Sequence, residues 1–194
     1  MQNTIQQIKN NLENDIKFSK HCDSWFYKEH VLVVERLALE LCDFYPKANR
    51  DAVILSVWFH DIGRAHGYDK GHDVYGADYA RKTLTENRFD KDFVDLIVEA
   101  CKTHSCKENG KSNSLEGKIL ATADALSHYH NGFYLRVLYS WSKGNKGDYQ
   151  KLKTELFKKM KRDLNEKIFF DEVREKIKPM YEAWQKVVEE VVCK

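Results

Sequence analysis

The chain is poor in the two residues that interrupt regular structure, with two prolines and nine glycines among 194 residues. Proline and glycine mark turns, so their scarcity favours long helices over many short strands. The alternation of apolar and polar residues that is typical of a strand does not persist along the chain. We therefore predict an all-α fold.

The chain also lacks long apolar runs. None approaches the roughly 20 residues of a membrane span, and the N-terminal segment MQNTIQQIKNNLENDIK is polar, unlike a secretory signal. The five cysteines are odd in number and scattered, which indicates reduced thiols and not a disulfide framework. We expect a cytoplasmic protein with no membrane partner.

Length and periodicity predict one domain with a helical extension. A chain of 194 residues buries roughly 70% of its unfolded surface, so it folds without a metal, and any metal site would serve chemistry. Two amphipathic helices are predicted at about 148–163 and 166–192, packed on the preceding part, which we end at residue 142. The earlier predicted helices cover about residues 3–18, 25–45, 51–63, 73–87, 91–105, 115–130 and 133–141.

His60 and Asp61 stand at the end of an almost wholly apolar segment, DAVILSVWFHDIGR, which we predict to be a central helix that Gly63 ends as C-cap. Imidazole and carboxylate groups suit divalent transition metals. The dipeptide alone is weak evidence, because a second pair, His72-Asp73, follows twelve residues later. The alternative for His60 is a hydrogen-bonded core histidine.

Neighbouring predicted helices offer two more residues of metal-binding type. His30 adjoins the apolar face of its helix, and Asp124 lies within ILATADAL. A carboxylate among alanines and leucines is costly to bury unless it is paired or bound to a metal. Core packing alone does not explain why three of the predicted apolar helices each present such a residue, so the pattern favours a metal site.

This arrangement resembles the HD-domain superfamily of metal-dependent phosphohydrolases. The matching segments span about residues 25–137 and are, in order, WFYKEHVLVVERLALEL, AVILSVWFHDIGR, HDVYGADYARKTL, VDLIVEACKTH and EGKILATADAL. The resemblance implies an HD-domain-like helical bundle over residues 1–142, with two additional C-terminal helices in 143–194. It also implies one divalent cation (manganese, iron, cobalt, nickel, zinc or magnesium), held by His30, His60, Asp61 and Asp124.

Two further histidines match a subset of that family. His72 in HDVYGA and His104 in VEACKTH resemble the residues that bind a second metal in dinuclear members, where Asp61 would bridge the two ions. The alternative is that both histidines face the substrate or lie on the polar surface.

Several charged residues are candidates for contact with a phosphate. Arg64 and Lys70 border the loop after His60-Asp61, and Lys102 precedes His104; arginine and lysine both bind phosphate groups. His128 follows Asp124 by four residues and so shares its helix face, which leaves open that it contacts this ligand, but we favour a surface position for it. Residues 143–167 hold nine Lys or Arg against four Asp or Glu, which we interpret as a solvated helix face.

The predicted ligand set leaves coordination positions open for water and a phosphoryl oxygen. We predict hydrolysis of a small, nucleotide-like phosphomonoester or phosphodiester by metal-bound hydroxide, with Asp61, Arg64 and Lys70 as the catalytic residues. Three alternatives stay open: a di-iron oxygenase, a non-catalytic binding module, and a nucleic-acid-binding protein that uses residues 143–167. We disfavour nucleic acid as a partner and leave a homodimer open.

Overall fold

The computed structural model describes residues 2–107, 109–145 and 148–192. These residues form helices and no strand, so the all-α prediction is confirmed. The helices are α1 (Gln2–Lys17), α2 (Leu32–Phe44), α3 (Arg50–His60), α4 (Ile62–Ala65), α5 (His72–Glu86), α6 (Lys91–Thr103), α7 (Leu115–Ser127), α8 (Phe133–Asn145), α9 (Tyr149–Arg162) and α10 (Asp171–Val192). One π-helical turn, Tyr27–Val31, leads into α2, and another, Asp163–Lys167, follows α9.

Helices α3 and α7 form the centre of the bundle. α3 packs against α2, α6 and α7, while α5 covers α6 and α1 lies on α3. Every residue of α3 from Val57 to His60 is buried, as the apolar run in the sequence predicts. A side chain caps the N-terminus of each central helix. For α3, Asn49 Oδ1 accepts a hydrogen bond from the backbone NH of Ala52 at 3.1 Å. For α7, Ser114 Oγ accepts one from the backbone NH of Gly117 at 3.0 Å.

The two additional C-terminal helices are α9 and α10. α9 packs on α8, and the π-helical turn after α9 packs on α7. The predicted division at residue 143 falls within α8 (Phe133–Asn145). Among the described helices, none combines the length and the apolar character that crossing a bilayer requires.

Gly63 does not end α3 as a C-cap, so that prediction is wrong. α3 ends at His60, and Gly63 lies buried inside the short helix α4. A Cβ atom at Gly63 would lie 2.8 Å from the Cα atom of His72. A glycine is needed here because α4 and the first residue of α5 approach each other closely.

The predicted single helix over 166–192 is also wrong at its beginning. Residues 168–170 are not helical, and α10 starts at Asp171. Thr122 of α7 holds this break, since its hydroxyl donates to the carbonyl of Lys167 at 3.2 Å and accepts from the backbone NH of Phe169 at 3.1 Å. The break turns Lys167 into the interior, where it is 4% exposed.

Gly76 allows α5 to pack directly on the end of α3. A Cβ atom at this position would lie 2.5 Å from the carbonyl oxygen of Phe59. Replacing a glycine within a helix by alanine ordinarily stabilises a protein by about 0.5–1 kcal/mol. For Gly76→Ala we expect the opposite sign. The free energy of unfolding should fall by about 1–3 kcal/mol, because the backbones of α3 and α5 must move apart to make room for the methyl group.

Denaturant unfolding of the Gly76→Ala variant tests this, with Asp78→Ala, at an exposed position of the same helix, as the control. Asp78→Ala should change the free energy of unfolding by less than about 0.5 kcal/mol. A Gly76→Ala protein at least as stable as the wild type would show that the two helices do not pack this closely.

Candidate metal centre

A cavity of about 700 Å³ opens beside the junction of α3 and α4. Five of the six predicted metal ligands line it, all except His60, and other lining residues come from α8, α9 and the π-helical turn after α9. The six predicted metal ligands are at most 6% exposed: His30, His60, Asp61, His72, His104 and Asp124. The structure therefore brings all six to one buried place.

Three of the four histidine rings are oriented by the backbone. Each approaches, through Nδ1, a carbonyl three residues earlier: His60 that of Val57 at 2.6 Å, His72 that of Asp69 at 2.9 Å, and His104 that of Cys101 at 2.6 Å. A carbonyl oxygen only accepts, so Nδ1 must carry the hydrogen in each ring. The lone pair is then on Nε2, which faces the centre of the cluster and is free to bind a metal.

The fourth ring, His30, is oriented by a hydroxyl group. Ser127 Oγ donates to the carbonyl of Asp124 at 2.7 Å. His30 Nδ1 lies 3.0 Å from this Oγ atom of Ser127. Because the hydroxyl hydrogen is already used, Nδ1 of His30 donates to Ser127 and Nε2 again carries the lone pair. All four imidazoles thus present the same nitrogen to the centre.

The two carboxylates connect these imidazoles. Asp61 Oδ2 lies 3.3 Å from His30 Nε2 and 3.6 Å from His60 Nε2. Asp61 Oδ1 lies 3.2 Å from His72 Nε2 and 3.8 Å from His104 Nε2. Asp61 therefore divides the histidines into two pairs, one on each oxygen.

Asp124 faces the first of these pairs. Its Oδ1 lies 3.6 Å from His30 Nε2. Ligand atoms of His30, His60 and Asp124 lie within 4.8 Å of one another, as do those of His60, Asp61 and His104. Ligands at roughly 2.0–2.2 Å from one ion are separated by such distances.

His60 provides an independent test of whether these residues fit a metal. Its Nε2 is buried and has no hydrogen-bond partner among the described residues. An unsatisfied buried polar atom is costly, and a cation at this position would use its lone pair. The residues present therefore fit a divalent cation.

The protonation states also match what a metal requires. Burial lowers the pKa of His30 to about 4, although Asp61 and Asp124 oppose the shift. Burial lowers the pKa of His104 to about 3. Both rings are thus neutral at neutral pH, and a neutral imidazole is the form that binds metals.

Both aspartates stay ionised in spite of their burial. Burial alone would raise the pKa of Asp61, but the charge of Arg64 is the largest opposing influence, and the pKa lies well below its ordinary value. The charge of Lys167 has the same effect on the pKa of Asp124. The centre therefore offers two carboxylates and several neutral imidazoles, a donor set suited to manganese, iron, cobalt, nickel or zinc.

The three predicted phosphate contacts differ in position. Arg64 lines the cavity, where its Nε donates to Asp61 Oδ1 at 3.1 Å and its Nη2 lies 3.2 Å from His72 Nε2. Lys70 and Lys102 are exposed and are not among the residues that line the cavity. The structure thus brings only Arg64 to the centre.

Lys167 reaches Asp124 from the far end of the chain, and sequence reasoning missed it. Its Nζ donates to Asp124 Oδ2. Burial opposes a charge on Lys167, but Asp124 and Asp163 outweigh it and raise the pKa of Lys167. The ammonium group therefore neutralises a carboxylate of the predicted metal site.

His128 is buried at 3% exposure, so the expected surface position is wrong. Its Nε2 lies 3.2 Å from Asp124 Oδ1, and its Nδ1 lies 2.9 Å from Asp163 Oδ2. Asp163 also accepts from Tyr134 Oη at 3.0 Å and lies 3.3 Å from Lys159 Nζ. A buried polar chain thus extends from the metal centre into the C-terminal segment.

The interpretation of residues 143–167 as a solvated face holds for Lys151, Lys158 and Lys161, which are exposed. It is wrong for Lys159 and Lys167, whose side chains are 16% and 4% exposed. A sequence signal for them exists: Lys159, Asp163 and Lys167 recur every four residues with alternating charge, on one helix face.

Comparisons with known proteins identify the family and the fold. A family model described as HD domain matches residues 27–129, a span that contains all six candidate ligands. The crystal structure of a predicted HD superfamily hydrolase from an uncultured Thermotogales bacterium is similar in fold, with a TM-score of 0.63 and 23% sequence identity over 97% of this chain and 91% of that chain. No significant match was found among curated proteins. Because the matched family model covers more than half of the sequence, the chain belongs to the HD-domain family.

Proposed function

We propose that the protein is a metal-dependent phosphohydrolase that acts on a small phosphorylated molecule. One observation carries the proposal: a cluster of six buried metal-competent side chains, five of which line a cavity, lies beside several lysines and arginines that line the same cavity. A metal site suits hydrolysis in general, whereas a cationic wall selects an anionic substrate. The combination favours a phosphoester.

His30, His60, Asp61 and Asp124 would hold the first ion. When bound, a divalent cation lowers the pKa of a coordinated water and stabilises negative charge on an attacked phosphoryl group. The chain's own contribution is orientation, since the hydrogen bonds at Nδ1 fix the imidazoles before any ion arrives.

The two oxygens of Asp61 support a second ion position in the same proposal. Oδ2 faces His30 and His60, while Oδ1 faces His72 and His104. A carboxylate with a separate set of imidazoles on each oxygen is suited to bridging two ions. Arg64 now donates to both Asp61 Oδ1 and His72 Nε2, and it would have to turn away from them.

The cavity is lined by both cations and aromatic rings, which supports a nucleotide-like substrate. Arg64, Lys159 and Lys167 lie near the metal centre, where a phosphoryl group would react. Trp25 and Phe133 line the same cavity, with their ring centroids 5.6 Å apart in an edge-to-face contact. Aromatic faces of this kind bind flat organic groups.

A di-iron oxygenase is the second candidate, favoured by one observation. His72 Nε2 and His104 Nε2 both lie within 3.8 Å of Asp61 Oδ1, as a dinuclear centre requires. The cationic wall has no evident use in oxygenation of a neutral substrate. Two irons per chain together with oxygen consumption would decide for this alternative.

Metal binding should depend on His60. We expect the reconstituted wild type to retain manganese after dialysis, and His60→Gln to weaken binding by at least roughly 100-fold, because a fixed neutral imidazole is lost. Isothermal titration calorimetry and elemental analysis measure this, and circular dichroism monitors folding. His66→Ala is the control, since His66 contacts Asp15 and Tyr75 and does not line the cavity.

If the wild type and His60→Gln bound manganese with equal affinity, any bound ion would lie elsewhere in the protein.

Hydrolysis should depend on Asp61. A panel of phosphomonoesters and phosphodiesters assayed with metal-loaded protein should contain at least one substrate. For that substrate Asp61→Ala should lower kcat/KM at least roughly 100-fold, equivalent to about 2.7 kcal/mol of transition-state stabilisation. Asp95→Ala is the matched control, because Asp95 is an aspartate that pairs with Arg81 and Lys91 away from the cavity.

Full hydrolysis by Asp61→Ala, or by protein freed of metal with a chelator, would rule the proposed function out.

A further inference from the structure

Most cations that line the cavity are already paired with an acid. The pairs are Arg64 with Asp61, Lys158 with Glu155, Lys159 with Asp163, and Lys167 with Asp124. Arg162 and Lys107 also line the cavity, yet neither has an acidic partner within ion-pair distance in the described part of the chain. Lys20, which is likewise unpaired there, is exposed at the rim.

Arg162 has a further unsatisfied group. Its Nε is buried and has no hydrogen-bond partner among the described residues. A buried guanidinium NH without an acceptor is unfavourable, because its hydrogen bond to water is not replaced by one within the protein. Because the side chain lines the cavity, a small rotation of the guanidinium group would bring its Nε to an acceptor on a ligand there.

Arg162 and Lys107 line the same cavity as several other cations, and their charges act on one another. Partial burial lowers the pKa of Lys107, and the charges of Arg162, Arg64 and Lys167 lower it further. Burial lowers the pKa of Lys159 to about 8, with contributions from Lys167 and Arg162. Like charges gathered in one place repel, and an anion between them removes the repulsion.

We propose that Arg162 and Lys107 form a second anion subsite, which binds a second phosphoryl group of the substrate. This inference rests on the proposed function, in which the first phosphoryl group reacts at the metal centre. The planar fork of an arginine binds phosphate oxygens through two parallel hydrogen bonds, and a nearby lysine adds a point charge. The substrate class is therefore a diphosphate or a small molecule with two phosphates.

The subsite lies partly outside the matched family span. Arg162 is the last residue of α9, well beyond residue 129, where the match ends. Lys107 comes from the loop after α6, within that match. The C-terminal helices would thus adapt a common metal centre to a particular class of substrate.

Binding of inorganic phosphates to metal-loaded protein tests the subsite. Calorimetric titration should show pyrophosphate or inorganic triphosphate binding at least roughly 10-fold more tightly than orthophosphate, because only the longer anions reach both positions. Arg162→Ala should weaken polyphosphate binding by roughly 10- to 150-fold, the range for charged hydrogen bonds, and change orthophosphate binding less than about 3-fold. Elemental analysis afterwards verifies that the metal stays bound.

Lys107→Ala is the second variant, since Lys107 lies in the loop after α6 with much of its side chain exposed, and we expect its removal to leave the fold intact. It should also weaken polyphosphate binding selectively. Lys161→Ala and Lys111→Ala are the matched controls, because each removes an exposed cation that does not line the cavity, one on α9 and one in the loop after α6.

Two results would overturn the subsite. One is that the wild type binds orthophosphate as tightly as both longer anions. The other is that Arg162→Ala weakens the binding of all three anions by the same factor. Failure of the proposed function looks different. If no phosphoester were hydrolysed but polyphosphate binding still depended on Arg162, the subsite would stand and the reaction would be wrong.

Discussion

Two ionised carboxylates buried side by side constrain the whole centre. Asp61 and Asp124 flank the same imidazole, with oxygens 3.3 Å and 3.6 Å from His30 Nε2. Buried charges of one sign are costly unless cations compensate for them. The chain supplies Arg64 to one carboxylate and Lys167 to the other. A divalent cation would compensate both carboxylates further and would use the Nε2 lone pair of His60, which has no hydrogen-bond partner among the described residues.

The ends of helices explain why the imidazoles can be fixed so firmly. The last turn of a helix has carbonyl groups without an internal partner. His60 and His104 stand at the ends of α3 and α6, and their Nδ1 atoms use such carbonyls, those of Val57 and Cys101. A local feature of the sequence, a histidine at the end of an apolar helix, thus sets the direction in which Nε2 points.

The sequence predicts what depends on neighbours along the chain. Apolar periodicity identifies the helices, and the position of His60-Asp61 at the end of a core helix identifies the centre. The burial of Lys167 is not predictable in this way, because it depends on a break held by Thr122, 45 residues away. Conversely, Lys70 is near the motif along the chain but points to solvent. Side chains contributed by the C-terminal segment are long-range consequences of packing.

Anomalous diffraction from crystals of the manganese-loaded protein would test the central claim most directly. The account predicts an anomalous peak about 2.2 Å from His60 Nε2. The other ligands of this ion would be His30, Asp61 and Asp124. It would be contradicted by a peak elsewhere in the molecule with the Nε2 atom of His60 still lacking a partner.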